Sequence, residues 1–242
     1  MTLREVWLVR HGESIANIAA TQAERDGVDV IPVDIRDADV PLSKTGRDQA
    51  EALGRWMREH RDEVEDFYTS PYVRARETLM IALDAHDSPP VEVRSDERLR
   101  DRELGILDLL TRGGVARLHP AEAERRRRLG KFYHRPPGGE SWADVGLRLR
   151  SFLADADKSP GSTAVIVAHD AVVMLLVSLL LPLDETALLD FAATRTVLNA
   201  SVTHLVRSDD GWELVEFSDV SHLEVEGAPV TVHPGSPDVE PG

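Results

Sequence analysis

The chain contains no cysteine, which removes disulfides, thiolate metal sites and cysteine nucleophiles together, so any nucleophile is another side chain. Basic residues are in deficit. Lysine and arginine number 28 against 43 acidic residues, a net charge of −15, which argues against non-specific binding to nucleic acid or to anionic membranes. Long apolar runs are also missing: the longest, Ala171 to Pro182, is too short to span a bilayer. The N-terminus, Met1 to Val6, shows no basic region followed by an apolar stretch and a small-residue cleavage site. A soluble, cytoplasmic protein with neither nucleic-acid nor membrane partners is expected. No His-Glu-x-x-His, EF-hand or Gly-x-x-x-x-Gly-Lys-Ser/Thr pattern occurs, so the reading assigns no metal and no cofactor. No internal repeat is visible.

What is present is enough for one core. With 242 residues of which 42% are hydrophobic, the chain predicts a single domain over residues 1–222. Val6 to Val9 reads as a buried strand, and Ser43 to Glu59 as a helix capped by Ser43 that turns Ala50, Leu53 and Met57 inward. The polar, acidic stretch 18–42 between them reads as a loop. A strand at Asp66 to Thr69, a helix at Tyr72 to Ala85 and a strand at Val91 to Arg94 follow, the last two separated by Pro89-Pro90. Residues 96–140 have little strand character and read as an insertion above the sheet. Ser141 to Ala156 predicts an amphipathic helix on Val145, Leu149, Phe152 and Leu153. After the strand from Thr163 and the apolar run Ala171 to Leu181, Ser208-Asp209-Asp210-Gly211 joins two alternating segments as a hairpin. Residues 223–242 lack periodicity and predict a mobile tail, with an ordered arm of a homodimer as the alternative. The alternation implies a three-layer α/β/α fold, a mainly parallel sheet with helices on both faces.

The most informative stretch is Arg10-His11-Gly12-Glu13-Ser14, which ends the first strand with a cation, an imidazole and a glycine. His169 repeats the arrangement beyond the strand Thr163 to Ala168. Two strand-end histidines in one parallel sheet lie on the edge where open α/β sheets bind ligands. With Asn17, Ser70-Pro71-Tyr72-Val73-Arg74-Ala75-Arg76-Glu77-Thr78 and Pro137-Gly138-Gly139-Glu140-Ser141 between them, these motifs resemble, in order and spacing, the histidine phosphatase superfamily of phosphoglycerate mutase-like proteins. The match runs from about Glu5 to Val206.

That resemblance implies His11 as nucleophile, forming a phosphohistidine that water hydrolyses. It implies Arg10 and Arg74 as phosphate clamps, whose planar forks match two phosphate oxygens. Asn17 would be a phosphate-contacting amide, and His169 a second histidine giving a hydrogen bond and positive charge. Leu99-Arg100-Asp101-Arg102-Glu103-Leu104-Gly105 puts Asp101 where many relatives carry a glutamate proton donor, with Glu103 and Asp170 as alternatives. Glu13, Glu140 and Ser141 border the pocket. Arg125 to Arg128, Lys131, Tyr133, His134 and Arg135 read singly as a solvated helix, or together as a roof for a second anionic group.

The expected activity is a metal-independent phosphatase acting on a small phosphorylated metabolite, a sugar phosphate or phosphoglycerate derivative. A cofactor-dependent phosphoglycerate mutase is the alternative, although the mutase sequence Glu-Arg-His-Tyr-Gly is replaced here by Asp101-Arg102-Glu103-Leu104-Gly105. A catalytically weak regulatory protein on the same fold is a third reading, opposed by retention of both histidines and both arginines.

Overall fold

The computed structural model of the chain describes residues 3–60, 63–85 and 91–233. Its centre is a six-stranded sheet in the order β3-β2-β4-β1-β5-β6, built from β1 (Glu5–Arg10), β2 (Asp66–Thr69), β3 (Val93–Ser95), β4 (Thr163–Ala168), β5 (Val202–Ser208) and β6 (Gly211–Asp219). The first four strands are mutually parallel, and β5 and β6 run antiparallel. The hairpin expected at Ser208 to Gly211 joins these last two. The turn at Pro89-Pro90 lies outside the described residues.

The period of two along β1 divides its side chains between two cores. Val6 and Leu8, with Ala164, Ile166 and Ala168 of β4, pack against α6 (Trp142–Ala156) and α7 (Asp170–Leu180). Trp7 and Val9, with Val165 and Val167, face α2 (Lys44–Glu59) and α3 (Val73–Asp84) through Leu53, Met57, Leu79 and Leu83. Helices therefore cover both faces, and the fold is the expected α/β sandwich.

The strand ends that carry function are neighbours. The β1–β4 register pairs Arg10 with Ala168, and the His11 amide donates to the Ala168 carbonyl at 3.0 Å. The Ser70 amide, just after β2, donates to Val167 O at 2.9 Å. His11, Ser70 and His169 consequently emerge side by side at the carboxyl edge of three adjacent parallel strands. Gly12 is required there by close approach, because a Cβ on it would meet Gly46 O at 2.6 Å, while one on Gly46 would meet Glu13 O at 2.0 Å.

Four segments differ from what the sequence predicts. Residues 18–42 are not all loop, because α1 (Ile15–Asp26) occupies their start, opened by a capping box in which Ser14 and Asn17 satisfy each other's backbone amides. Only Ala23 of that helix is buried, so its sequence carries no apolar stripe. The insertion at 96–140 does cover the strand edge, but as α4 (Arg112–Leu118) and α5 (Pro120–Tyr133) with 3₁₀ turns before them. α5 breaks at Gly130, whose φ of 76° is open to glycine without strain. A further helix, α8 (Glu185–Thr194), follows α7.

The tail expected over residues 223–242 is corrected for its first part, 223–233, while residues 234–242 lie outside the described residues. Helix α9 (Ser221–Glu226) carries the chain past residue 223, burying Leu223 against Ala52 and Ala200, and residues 228–233 then run back along the body to the carboxyl edge of the sheet. A short apolar contact and a series of side-chain hydrogen bonds order this segment, neither of which periodicity reveals. Among the described residues no helix is long and apolar enough to cross a membrane.

Candidate active site

A cavity of about 390 Å³ opens over the strand ends, a size suited to a small ligand. Arg10, His11, Asn17, Arg74 and Asp101 all line it, and the His169 ring lies 5.2 Å from that of His11, centroid to centroid.

His11 is held with one ring nitrogen free. Its Nδ1 sits 2.7 Å from its neighbour's carbonyl, Gly12 O, a contact that places the ring proton on Nδ1 and leaves the lone pair on Nε2. Burial lowers its pKa well below the usual histidine value, and the nearby Arg74, His169 and Arg10 lower it further. The imidazole is therefore neutral at neutral pH. Its own backbone is pinned as well, with the carbonyl accepting from Ala200 N and Asn199 Nδ2.

Arg10 is 2% exposed. Nη1 donates to Val197 O at 2.5 Å and Nη2 to His233 O at 2.9 Å, whereas Nε is buried with no hydrogen-bond partner among the described residues. Burial lowers its pKa, opposed by Asp170 and Asp101. An orphaned buried donor on a guanidinium is costly unless an anion meets it. A phosphoryl oxygen is such an anion.

Arg74 sits in the first turn of α3, and its fork already holds carboxylates. Nη1 donates to Asp37 Oδ1 at 2.9 Å and Nη2 to Asp101 Oδ2 at 3.0 Å. Burial works against its charge, but Asp37 and Asp101 outweigh that and raise its pKa. Asp37 lies in the acidic stretch after α1 and was not among the sequence candidates; one aspartate among many in a polar linker gives no signal of a partner 37 residues away.

Asp101 is equally committed. Burial favours its neutral form, yet His169, Arg74 and the Arg102 amide together hold the carboxyl well below the ordinary carboxylate range. Its Oδ2 is 3.3 Å from His169 Nδ1 and its Oδ1 accepts from Arg102 N at 2.8 Å. His169 is wholly buried, with Nε2 2.8 Å from Ser70 Oγ. Burial lowers its pKa more than Asp101 raises it, which disfavours positive charge on this ring in the ligand-free arrangement, and an arriving dianion would favour it. Asn17 Oδ1 accepts from Ser14 N at 3.0 Å in the capping box, which leaves its NH₂ group as the part able to meet phosphate.

Of the alternative acids, Glu103 lines the cavity and accepts from the Tyr72 hydroxyl at 3.0 Å, and Asp170 lines it as the first residue of α7. Glu13, Glu140 and Ser141 support the site: Glu13 accepts from Ser43 Oγ, Glu140 holds Arg100 and Arg148, and Ser141 caps α6. The basic roof is only partly the one expected. Arg125, Arg127 and Arg128 pair with Glu122 or Glu124, Arg135 with Asp144, and His134 with Glu122. The cations facing the cavity are Arg102, Arg112 and Lys131, with Arg195 at another wall. Among the described residues, no three His, Asp or Glu side chains cluster as a metal site.

Two buried imidazoles and two buried guanidiniums converge at a parallel-sheet edge, an arrangement able to hold a phosphoryl group and to attack it with an imidazole nitrogen. The chain belongs to the histidine phosphatase superfamily (branch 1), whose family model matches residues 6–220. It is 33% identical, over 67% of its length and 68% of the relative's, to 2,3-bisphosphoglycerate-dependent phosphoglycerate mutase 2 of Gloeobacter violaceus. Phosphoglycerate mutase-like protein 4 of Arabidopsis thaliana is 30% identical over 92% of this chain and 88% of that one. Among solved structures, mycobacterial glucosyl-3-phosphoglycerate phosphatase in complex with VO3 superimposes with a TM-score of 0.70 at 26% identity, covering 90% of this chain and all of the other (100%). Bacillus stearothermophilus YhfR gives 0.69 at 26% identity, covering 90% and 98%.

Replacing His11 with alanine is expected to abolish phosphate release, and quenching the wild type during turnover is expected to trap acid-labile phosphate on His11. Because its neutral form is the reactive one and its pKa is depressed, kcat/KM should hold as the pH drops through 6.5 and decline only further into acid. An acid limb at or above that pH, or label on another residue, would contradict the assignment.

Proposed function

We propose that the protein is a metal-independent phosphatase that hydrolyses a small phosphorylated metabolite through a phosphohistidine on His11. The observation that carries this reading is the Nδ1 contact of His11 with Gly12 O, which reserves Nε2 for in-line attack beside Arg10 and Arg74. The P–O bond to the leaving group breaks as the N–P bond forms, and a protonated acid delivers its proton to the departing oxygen. Water then attacks phosphorus, the N–P bond breaks, and inorganic phosphate leaves. The reaction proceeds without a cofactor, at home in the cytoplasm.

Asp101 is the proposed acid, with a condition set by its contacts. It is ionised while Arg74 and His169 hold it. A phosphate dianion that draws the Arg74 fork away removes one stabilising cation and adds a like charge, and both changes raise a carboxyl pKa. The acid is thereby armed by substrate.

The relatives' names divide between mutase and phosphatase. The replacement of Glu-Arg-His-Tyr-Gly by Asp101-Arg102-Glu103-Leu104-Gly105 favours hydrolysis in this chain. Phosphate release from a panel of phosphomonoesters is expected to outrun any exchange of 2- and 3-phosphoglycerate primed by 2,3-bisphosphoglycerate, and to survive chelators. Primer-dependent exchange much faster than release would make the protein a mutase.

The substrate's remaining part is proposed to carry a second anionic group. Lys131 lies 4.1 Å above the Trp142 ring, and its pKa is lowered to about 8, first by burial and then by Arg126, Arg102 and Arg112, with Asp170 opposing. Burial and the same neighbours, Arg102 and Arg112, lower Arg126 to about 10. Cations pressed together in this way are relieved by an anion between them.

Two measurements follow. Asp101→Asn is expected to lose about 10²–10⁴-fold with an alkyl phosphate and clearly less with p-nitrophenyl phosphate, whose leaving group needs no proton; the same signature in Glu103→Gln or Asp170→Asn alone would move the acid there. The preference for 3-phosphoglycerate over p-nitrophenyl phosphate should fall about tenfold or more in Lys131→Gln, the scale of one charge-assisted hydrogen bond. In the wild type that preference should also decline above about pH 8, where Lys131 gives up its proton. A preference indifferent to both changes would remove the second-anion subsite.

A further inference from the structure

Arg10 can serve phosphate only if its guanidinium is aimed, and half of that aim comes from an unexpected part of the chain. Nη1 is held by Val197 O, beside the sheet, and Nη2 by the carbonyl of His233. These two acceptors fix the plane of the fork and leave Nε as the unmatched buried donor. The segment that brings His233 there is fastened along its length. Gln49 Nε2 donates to Pro229 O at 2.7 Å and to Thr231 Oγ1 at 2.9 Å, and Thr231 Oγ1 donates to Asn199 Oδ1 at 3.2 Å. Asn199 in turn donates to the carbonyl of His11.

The His233 ring completes the attachment. Nε2 is 2.7 Å from Glu13 Oε2 and Nδ1 is 2.6 Å from Thr21 Oγ1, so one imidazole spans the turn after the nucleophile and helix α1. Glu13 is held from its other side by Ser43 Oγ at 2.6 Å, and its amide donates to Gln49 Oε1 at 2.8 Å. The segment thus touches both the clamp and the turn that presents His11, and it does so from behind the cavity, since none of residues 229–233 lines it.

We propose that residues 229–233 are a positioning strap of the phosphate site, with His233 as its buckle, setting phosphoryl affinity by aiming Arg10 and fixing Glu13. This rests on the phosphate role proposed for Arg10. A segment that merely closed the end of the core would contribute to stability and leave affinity alone, because its removal would not rotate a guanidinium. The strap does more, since a small misplacement of a clamping group can change rate or affinity greatly. Linkage adds a reciprocal effect: phosphate that binds better to the strapped state must hold the strap more tightly.

The test uses the full chain with inorganic phosphate and orthovanadate as probes, their Kd measured by calorimetry beside Tm. His233→Ala is expected to weaken both probes by about tenfold, Thr231→Val less in the same direction, and His233→Gln to recover part of the loss. KM for p-nitrophenyl phosphate should rise with Kd while kcat changes by a smaller factor. In the wild type, phosphate should slow hydrogen exchange at the amides of residues 230–233. Unchanged Kd in both His233→Ala and Thr231→Val, whatever happens to Tm, would overturn the strap. If His233→Ala fails to fold, Thr231→Val and wild-type exchange decide. Should the wild type bind neither probe, the proposed phosphatase function fails instead.

Discussion

Burying positive charge is the constraint on which this site depends. Arg10 and Arg74 are nearly inaccessible, and the two imidazoles beside them are buried as well. An isolated ion withdrawn from water costs several kcal/mol even after relaxation. The protein offsets this in two ways. Arg74 is held by carboxylates, Asp37 and Asp101, whereas Arg10 is held by carbonyls, Val197 O and His233 O. The histidines avoid the penalty by staying neutral. Neutrality is also what a nucleophile requires, so the burial that keeps His11 uncharged also leaves a ring nitrogen with its lone pair.

The different partners give the two arginines different parts to play. Carbonyls are fixed dipoles that orient Arg10 without cancelling its charge, and the clamp is preorganised before substrate arrives. Carboxylates do neutralise Arg74, and phosphate must compete with them for the fork. Asp37 is part exposed, with a side chain 42% accessible, and water can take over its solvation when it yields. Asp101 is less open, with a side chain 30% accessible, and its response to losing Arg74 is a higher proton affinity. In the proposed reaction, competition at one guanidinium is in this way coupled to proton donation at another residue.

How much of this was legible in the sequence follows from the range of each interaction. Arg10, His11, Arg74 and His169 stand at fixed offsets from strand ends, so apolar runs and family motifs located them and predicted their common edge. Asp101 was placed by its offset from Leu99 and Gly105, and the cavity confirms its position though not its protonation. Asp37 and His233 were not legible. Each acts through a hydrogen bond across a long sequence separation, from a segment whose composition is that of a linker. The roof was half legible, because a run of arginines on one helix shows charge but not phase: rotation about α5 turns Arg125, Arg127 and Arg128 to glutamates, while the break at Gly130 redirects Lys131 to the cavity.

A separation of local from global charge reconciles a net charge of −15 with a cavity suited to an anion. An acidic surface repels an anionic metabolite at long range, but salt screens that repulsion over about 10 Å at 0.1 M. Inside the cavity both signs line the walls: Asp37, Asp101, Glu103, Asp108 and Asp170 stand among Arg10, Arg74, Arg102, Arg112 and Lys131. Under the function proposed above, a substrate with a second anionic group would relieve the mutual repulsion of Arg102, Arg112, Arg126 and Lys131, whereas a phosphate ester with an apolar remainder would not. Selectivity of that kind requires no contact with the carbon skeleton between the two charges.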